Sequence, residues 1–151
     1  MAFEGITPRY LIEALGPFDL DPCAAPMMPW PTARRMIAPP RNGLTYAWYG
    51  NVWLSPPMDH RERWFMKKLF LHGKGIALLQ PKTETLMFHE HVWHDAHAVY
   101  FFDKRIRFYN RFGIEDRYNH NKPNMLVAYG VGNADRLLRL EEHYGGKYLQ
   151  L

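Results

Sequence analysis

The distribution of proline most constrains how this chain can fold. Ten of its twelve prolines lie within the first 57 residues. Because proline fixes φ and has no N–H donor, it interrupts helices and central strands. The N-terminal third should therefore consist of short elements, and residues 26–43, with five prolines, are predicted to form a long irregular loop.

Helical and strand patterns nevertheless alternate along the chain. Thr7-Pro8 predicts a capped helix that Gly16-Pro17 ends. Helices are predicted at 8–15, 60–72, 83–95 and 133–143. Strands are predicted at 18–21, 51–54, 75–80, 98–102 and 124–129, with a short strand-like piece at 106–109. This alternation predicts one α/β domain over residues 1–151 with a mostly parallel sheet.

Composition is that of an ordinary globular protein, with 47% hydrophobic and 23% charged residues. No apolar run approaches the roughly 18 residues of a membrane span, and no basic-then-apolar leader pattern is present. We therefore expect a cytoplasmic protein without a membrane partner. Cys23 is the only cysteine, which excludes an intrachain disulfide and a cysteine-based metal site. The histidines between 89 and 97 lack zinc-protease spacing, so no metal is expected.

The charge distribution favours an anionic partner. The chain carries a net charge of +4. One basic group contains Arg61, Arg63, Lys67, Lys68, Lys74 and Lys82. A second contains Lys104, Arg105, Arg107, Arg111, Arg117 and Lys122, with Tyr109, Phe112 and Tyr118 between its members. Cations for phosphates beside aromatic faces for bases indicate nucleic-acid binding, although a solvated basic surface is the simpler alternative.

Polar and proline residues follow two of the predicted strands. Asp21-Pro22 ends the first strand, and Ser55-Pro56-Pro57-Met58 follows the second. Ligands of parallel α/β sheets bind at the carboxyl ends of the strands. We therefore expect the chemistry of this chain at these two positions.

The Ser55-Pro56-Pro57-Met58 segment suits methyl transfer to a base amino group. Adjacent prolines hold the backbone extended and stiff. The lone pair of such an amine is delocalised into the ring, so acceptors on its two protons favour the more nucleophilic tetrahedral form. The Ser55 hydroxyl and the Pro56 carbonyl would be these acceptors, and Met58 would lie against a base flipped out of the duplex. The alternative is an ordinary proline-rich loop.

The 18–25 segment suits a cofactor. An acidic side chain such as Asp21 at a strand end accepts hydrogen bonds from a ribose or an ammonium group. The small residues Cys23, Ala24 and Ala25 let a ligand approach the backbone. Alternatively, Asp21 ends the strand in a turn by bonding to nearby backbone amides.

Taken in order, these segments resemble the phage-type DNA adenine methyltransferase (Dam) family. The resemblance runs from about residue 7 to residue 130 and is carried by Thr7-Pro8, DLDPCA, WLSPP, GIALLQPKTET, FFDKRIRF and PNMLVAYG. It implies a compact Rossmann-like methyltransferase fold, with S-adenosylmethionine as the cofactor. It implies cofactor-binding roles for Thr7, Pro8, Asp21, Pro22 and Cys23, and catalytic roles for Ser55, Pro56, Pro57 and Met58. Arg105 and Phe108 match the RI-x-F segment of the family, as substrate or core support.

The resemblance also implies an activity and a partner. Methyl transfer would be direct, from S-adenosylmethionine to the 6-amino group of adenine in double-stranded DNA. The residues expected to hold phosphates are Arg61, Arg63, Lys67, Lys104, Arg105 and Arg107. At 151 residues the chain leaves little room for a separate recognition domain, so we expect short or relaxed specificity, aided by self-association. A phage origin and protection against restriction follow from the resemblance as well.

Three departures from the family pattern leave alternatives open. Ser55 stands where the family usually has Asn or Asp, and methyltransferases of the cytosine 4-amino group often carry Ser there. Met58 replaces an aromatic, although Met also packs against rings. No glycine-rich fingerprint follows the first strand. The alternatives are a cytosine methyltransferase, an inactive member that binds cofactor and DNA, a methyltransferase of RNA or a small molecule, and a plain nucleic-acid-binding domain.

Overall fold

A mixed sheet of seven strands forms the centre of the fold in the computed structural model, which describes residues 5–117 and 122–151. The strands are β1 (Leu20–Asp21), β2 (Arg35–Met36), β3 (Val52–Leu54), β4 (Gly75–Leu79), β5 (Ala98–Phe101), β6 (Met125–Tyr129) and β7 (Lys147–Gln150). The helices are α1 (Arg9–Leu15), α2 (Glu62–His72), α3 (Leu86–Phe88) and α4 (Val131–Tyr144). No helix in the described ranges is long and apolar enough to cross a bilayer.

The sheet has the order β2-β1-β3-β4-β6-β5-β7. Strands β2, β1, β3 and β4 run parallel, β6 runs against β4 and β5, and β7 runs against β5. Among the described residues three pairings are parallel and three antiparallel, so the prediction of a mostly parallel sheet is wrong. The reason is physical: a continuous apolar run reports that a strand is covered on both faces, and it carries no information on direction.

The core lies on both faces of the sheet. Along β4, Ile76 and Leu78 point to one side, and Ala77 and Leu79 point to the other. The first side packs against α1 and α4, and the second against α2 and α3. Successive side chains of β4 point to opposite faces, and helices cover both faces, so every residue of β4 is buried. The result is a three-layer α/β/α arrangement.

Several elements differ from their predicted bounds. Pro8 is the N-cap of α1 and Thr7 precedes it, so Thr7 is not the cap. The helix expected at 83–95 is α3 followed by a π-helical turn at His89–Trp93. Instead of a strand, 106–109 contributes only Tyr109, which forms isolated bridges with Ile6 and Glu115. The proline-rich loop contains β2, and β7 was not predicted, because both strands are short and partly exposed at the two edges of the sheet.

Candidate active site

The topology places a crevice between the carboxyl ends of β1 and β3. From β1 the chain passes to β2 on one side, and it then returns to β3 on the other side of β1. Leu20 of β1 pairs with both Arg35 and Val52, so the three strands are in register at this point. In open α/β sheets such a reversal of strand order marks the ligand-binding crevice. The two strand ends singled out in the sequence therefore lie side by side.

Asp21 is buried at the end of β1, with 2% of its surface exposed. Its carboxylate accepts a hydrogen bond from the Cys23 backbone N–H at 3.0 Å and another from the Thr32 hydroxyl. Burial raises the pKa of Asp21 to about 6, although the bonds from Thr32 and Cys23 oppose the shift. The bond to a nearby backbone amide agrees with the turn interpretation.

The Asp21 carboxylate forms no ion pair with another described residue. No Lys, Arg or His of the described ranges lies within 4.0 Å of it. A pKa of about 6 leaves most of this group ionised at neutral pH. Buried charges are normally paired. An uncompensated anion at the crevice therefore suits a cationic ligand.

Cys23 follows Asp21 and is half-buried. Burial, reinforced by the charge of Asp21 and opposed by that of Arg61, raises the pKa of its thiol to about 12. The thiol is thus protonated at neutral pH and is no nucleophile. The influence of Asp59 and Arg61, which follow the second motif, on this thiol agrees with the closeness of the two strand ends.

The loop that follows β1 contacts the Thr7-Pro8 segment. The Trp30 indole N–H donates a hydrogen bond to the Thr7 carbonyl at 3.0 Å. The Trp30 ring also packs edge-on against Tyr109, with centroids 5.2 Å apart. Two residues farther along this loop, Thr32 bonds to Asp21. The loop thus ties the Thr7-Pro8 segment to the end of β1.

The Ser55-Pro56-Pro57-Met58 segment leaves the end of β3. Pro56 is buried, Ser55 and Pro57 are half-buried, and Met58 is 54% exposed. Neither the Ser55 hydroxyl nor the Pro56 carbonyl makes a hydrogen bond to another residue of 5–117 or 122–151. Both acceptors are therefore unpaired within the part of the chain that the structure describes.

Gln80, directly after β4, contacts the second motif, and the sequence did not single it out. Its side-chain amide donates a hydrogen bond to the Met58 sulfur at 3.3 Å. Gln80 belongs to the conspicuous 75–80 run, but nothing in the pattern indicated a contact with the neighbouring strand's loop. The contacts of Trp30 and Thr32 were not predicted either, because both residues lie within 26–43, for which the sequence predicts only an irregular loop.

The first predicted basic group is spread over and beside α2. Arg61 forms an ion pair with Asp59 at 2.8 Å, and Arg63 lies over the Trp64 ring, 4.8 Å from its centroid. Lys67 is exposed. Lys68 instead donates to the carbonyls of Leu44 and Tyr46, in and directly after the short 3₁₀ helix Gly43–Thr45, so it is held by the protein itself. Lys74 follows α2 and precedes β4, at the opposite end of the sheet from the crevice.

The second basic group follows β5 on the other face of the sheet. Lys104, Arg105 and Arg107 are exposed, and Arg107 pairs with Glu115 at 2.8 Å. These three residues and Pro8 line a cavity of about 350 Å³ between α1, α4 and the end of β5. Tyr118, predicted as part of this group, lies outside the described residues. Cations from both faces of the sheet thus border its carboxyl edge.

No group of three or more His, Cys, Asp or Glu side chains in the described ranges could hold a metal ion. His91 illustrates the alternative, packing of histidine against the protein. Its ring stacks on Phe70 with centroids 5.4 Å apart, and burial lowers its pKa.

Comparisons with known proteins identify the family of this chain. The family model described as DNA N-6-adenine-methyltransferase (Dam) matches residues 6–137. A DNA N-6-adenine-methyltransferase of Haemophilus phage HP1 (strain HP1c1) is 32% identical over 117 residues, covering 74% of this chain and 66% of the phage protein. The matched part is thus slightly less than two thirds of that relative. No solved structure matches the chain significantly. With a family match over most of its length, the chain belongs to the DNA N-6-adenine-methyltransferase (Dam) family.

Proposed function

We propose that this protein transfers a methyl group from S-adenosylmethionine to the 6-amino group of adenine in double-stranded DNA. The observation that carries the proposal is that the carboxyl ends of β1 and β3 lie side by side where the strand order reverses. One end holds a buried carboxylate that forms no ion pair among the described residues, and the other holds two hydrogen-bond acceptors that are unpaired among them. One sheet covered on both faces supports a single methyltransferase domain over residues 1–151.

The residues at the end of β1 fit the methyl donor. S-adenosylmethionine supplies an electrophilic methyl group on a sulfonium cation and also carries an ammonium group. The Asp21 carboxylate would offset positive charge, and the small side chain of the half-buried Cys23 would let the ligand approach the backbone. Thr7, Pro8 and Pro22 would complete the wall of the pocket.

The residues at the end of β3 fit the acceptor amine. The Ser55 hydroxyl and the Pro56 carbonyl would accept hydrogen bonds from the two amine protons. These bonds favour a tetrahedral nitrogen whose lone pair is available for attack, so no protein nucleophile is needed. The buried Pro56 and the half-buried Pro57 keep these acceptors in place, which is the preorganisation that lowers the barrier of an oriented transfer.

DNA would be held along the carboxyl edge. Arg61, Arg63 and Lys67 approach from the α2 face, and Lys104, Arg105 and Arg107 from the α4 face. Phosphate contacts of this type supply sequence-independent affinity. A base inside a duplex is out of reach of the acceptors, so the target must leave the stack and lie against Met58.

Adenine is the favoured target base because both the family and the phage relative are described as N-6-adenine methyltransferases. The second candidate is the 4-amino group of cytosine, and it rests on Ser55. An inactive member is disfavoured because neither acceptor of Ser55-Pro56 is used for a hydrogen bond within the described residues.

The test is transfer of labelled methyl groups from S-adenosylmethionine to unmethylated duplex DNA. Ser55→Ala should lower the rate at least about tenfold, as expected for loss of one hydrogen bond to the reacting group, and leave the Kd of the cofactor unchanged. Thr83→Ala removes an exposed hydroxyl beyond β4 and serves as the matched control. Label in DNA at the same rate for Ser55→Ala and wild type would reject the assigned role of Ser55. No label with the wild type would reject the proposed activity.

A further inference from the structure

A small hairpin between β5 and β6 has an ordered tip. Tyr109 pairs with Glu115, and the Asn110 N–H donates to the Ile114 carbonyl at 2.9 Å. The Asn110 side-chain oxygen accepts from the backbone N–H of Phe112 at 2.9 Å and of Ile114 at 3.1 Å. An Asn side chain that bonds its own turn fixes the shape of the tip.

Gly113 completes the turn. Its φ of +74° is a left-handed conformation that favours glycine. A Cβ placed on Gly113 would lie 3.5 Å from the Trp30 ring, so the turn rests on that indole. Trp30 also contacts Tyr109 and the Thr7 carbonyl. The hairpin is therefore braced by the same loop that holds the end of β1.

The tip carries two apolar side chains into solvent. Phe112 is 67% exposed and Ile114 is 61% exposed. Single exposed apolar residues are ordinary, but two on one ordered turn form a protruding apolar edge. Because the turn is held by its own backbone and by Trp30, these side chains add nothing to the core.

The surroundings of the tip are cationic. Residues 104–117 contain five basic residues and two acidic ones. Arg111, directly before Phe112, is exposed. A second copy of this chain would bring these like charges together across a two-fold axis, which disfavours a self-complementary contact. A polyanion with apolar interior surfaces is complementary to both features of the tip, and duplex DNA is such a partner.

We propose that this hairpin is a wedge that inserts Phe112 between stacked base pairs beside the target base. The inference rests on the proposed DNA methylation, and it names a residue that opens the substrate rather than one that reacts. Proteins use apolar side chains in this way to unstack base steps, at a cost of a few kcal/mol per step. Extruding the target base requires the same opening of the duplex. Arg111 and its basic neighbours would hold the phosphates beside the opened step.

The first test measures duplex unwinding and does not depend on catalysis. A closed circular plasmid is relaxed with topoisomerase I in the presence of excess protein, and its linking number is read on a gel after protein removal. The wild type and Phe112→Trp should lower the linking number in proportion to bound protein. Phe112→Ala should lower it by less than a third of that amount at equal occupancy. Val131→Ala, which trims a 69% exposed side chain at the start of α4, should behave like the wild type.

The second test compares methylation of native and heat-denatured DNA from the same unmethylated source. Phe112→Ala should slow transfer to native DNA at least about tenfold and transfer to denatured DNA less than twofold, because unstacking costs a few kcal/mol only in the duplex. Phe112→Trp should stay within threefold of the wild type on both.

The outcomes separate the two proposals. A wild type that binds the plasmid without unwinding it overturns the wedge, and so does an equal loss on native and denatured DNA. A change of oligomeric state on gel filtration of Phe112→Ala also overturns it, since the tip would then contact a second copy. Absence of methylation on both DNA forms by the wild type rejects the proposed function, whereas unwinding still reports on the wedge.

Discussion

The Thr32 hydroxyl donates a hydrogen bond to the Asp21 carboxylate, and both residues are buried. This contact joins the end of β1 to the loop between β1 and β2, a few residues before β2 begins. Trp30 in the same loop holds the Thr7 carbonyl. One carboxylate and one indole thus organise the pocket proposed for the cofactor.

Asp21→Asn should separate folding from cofactor binding. The folded pKa of about 6 lies above the ordinary 3.8, so the stability that protonation of Asp21 contributes is complete below about pH 4 and lost as pH rises through about 6. An Asn can accept from the Cys23 N–H and donate to the Thr32 oxygen, so it keeps the contacts without the charge. The wild type should lose stability between pH 5 and pH 8 as Asp21 ionises, whereas the variant has no carboxyl group at this position. The difference in free energy of unfolding, variant minus wild type, should therefore increase by about 1 kcal/mol or more between these pH values.

Urea unfolding at the two pH values measures this change, and calorimetric titration measures cofactor affinity. The Kd for S-adenosylmethionine should rise at least about tenfold at pH 8, since a charge-assisted contact is lost. A stability difference that does not vary with pH would show that Asp21 has an ordinary pKa. Unchanged affinity would remove it from the cofactor pocket.

Gly43→Ala should damage the pocket through Pro22. A Cβ on Gly43 would lie 1.8 Å from the Pro22 carbonyl oxygen, so the segment that follows Asp21 must move. Overpacking of this kind costs about 1–3 kcal/mol. We expect at least a fivefold rise in the cofactor Kd, on the order of 1 kcal/mol.

Gly132→Ala is the matched control for this variant. A Cβ on Gly132 meets nothing within 4 Å, and the residue lies inside α4. Its melting temperature should stay level or rise, since Ala favours a helix by about 1 kcal/mol over Gly. Equal cofactor affinity in the two variants would contradict the placement of Pro22 in the pocket.

Met58 should tolerate an aromatic. Its side chain is 54% exposed where a flipped base is proposed to lie, and stacking of a base on an aromatic contributes about 1–3 kcal/mol. Met58→Phe should therefore raise kcat/KM for DNA about threefold or more, and Met58→Ala should lower it about fivefold or more. Leu86→Ala, at a 72% exposed side chain of α3, should change neither kcat nor KM. Identical kinetics for Met58→Phe and Met58→Ala would exclude contact with the base.

The salt dependence of DNA binding should distinguish the cations at the carboxyl edge from those elsewhere. Each phosphate contact adds nearly one to the slope of log K against log salt. Lys104→Ala and Arg105→Ala should each reduce this slope by about one, whereas Lys74→Ala should leave it unchanged. Arg61→Ala should have a smaller effect, because its guanidinium is paired with Asp59, whose pKa is lowered to about 2 by this contact. Filter binding at several salt concentrations measures the slopes, and equal slopes for Lys104→Ala and Lys74→Ala would contradict the proposed DNA path.

Much of the framework could be predicted from the sequence. Buried runs such as 75–79 and 125–129 are recognisable because every residue is apolar, and the motif after β3 stands out through its two prolines. The rule that ligands bind at the carboxyl ends of parallel strands singled out Asp21 and Ser55. The strands β2, β1, β3 and β4 are parallel, but the adjacency of β1 and β3 was not predictable from the sequence.

The remainder depends on contacts that no local pattern encodes. The strand β6 is antiparallel to β4 and β5 because the chain turns back after β5 at the same edge of the sheet. An apolar run does not indicate this direction. Trp30, Thr32 and Gln80 act through partners 23, 11 and 22 residues away, so spacing gave no sign of them. The edge strand β7 is mostly exposed and lacks a hydrophobic signature.

Nucleoside mass spectrometry of treated DNA shows whether the methyl group reaches the 6-amino group of adenine. Unmethylated duplex DNA is incubated with the protein and S-adenosylmethionine, digested to nucleosides and analysed, with Ser55→Ala in parallel. We expect N6-methyl-2′-deoxyadenosine from the wild type, at least about tenfold less of it from Ser55→Ala, and no N4-methyl-2′-deoxycytidine. N4-methyl-2′-deoxycytidine, or no methylated nucleoside from a protein that binds the cofactor, would contradict methyl transfer to the adenine 6-amino group.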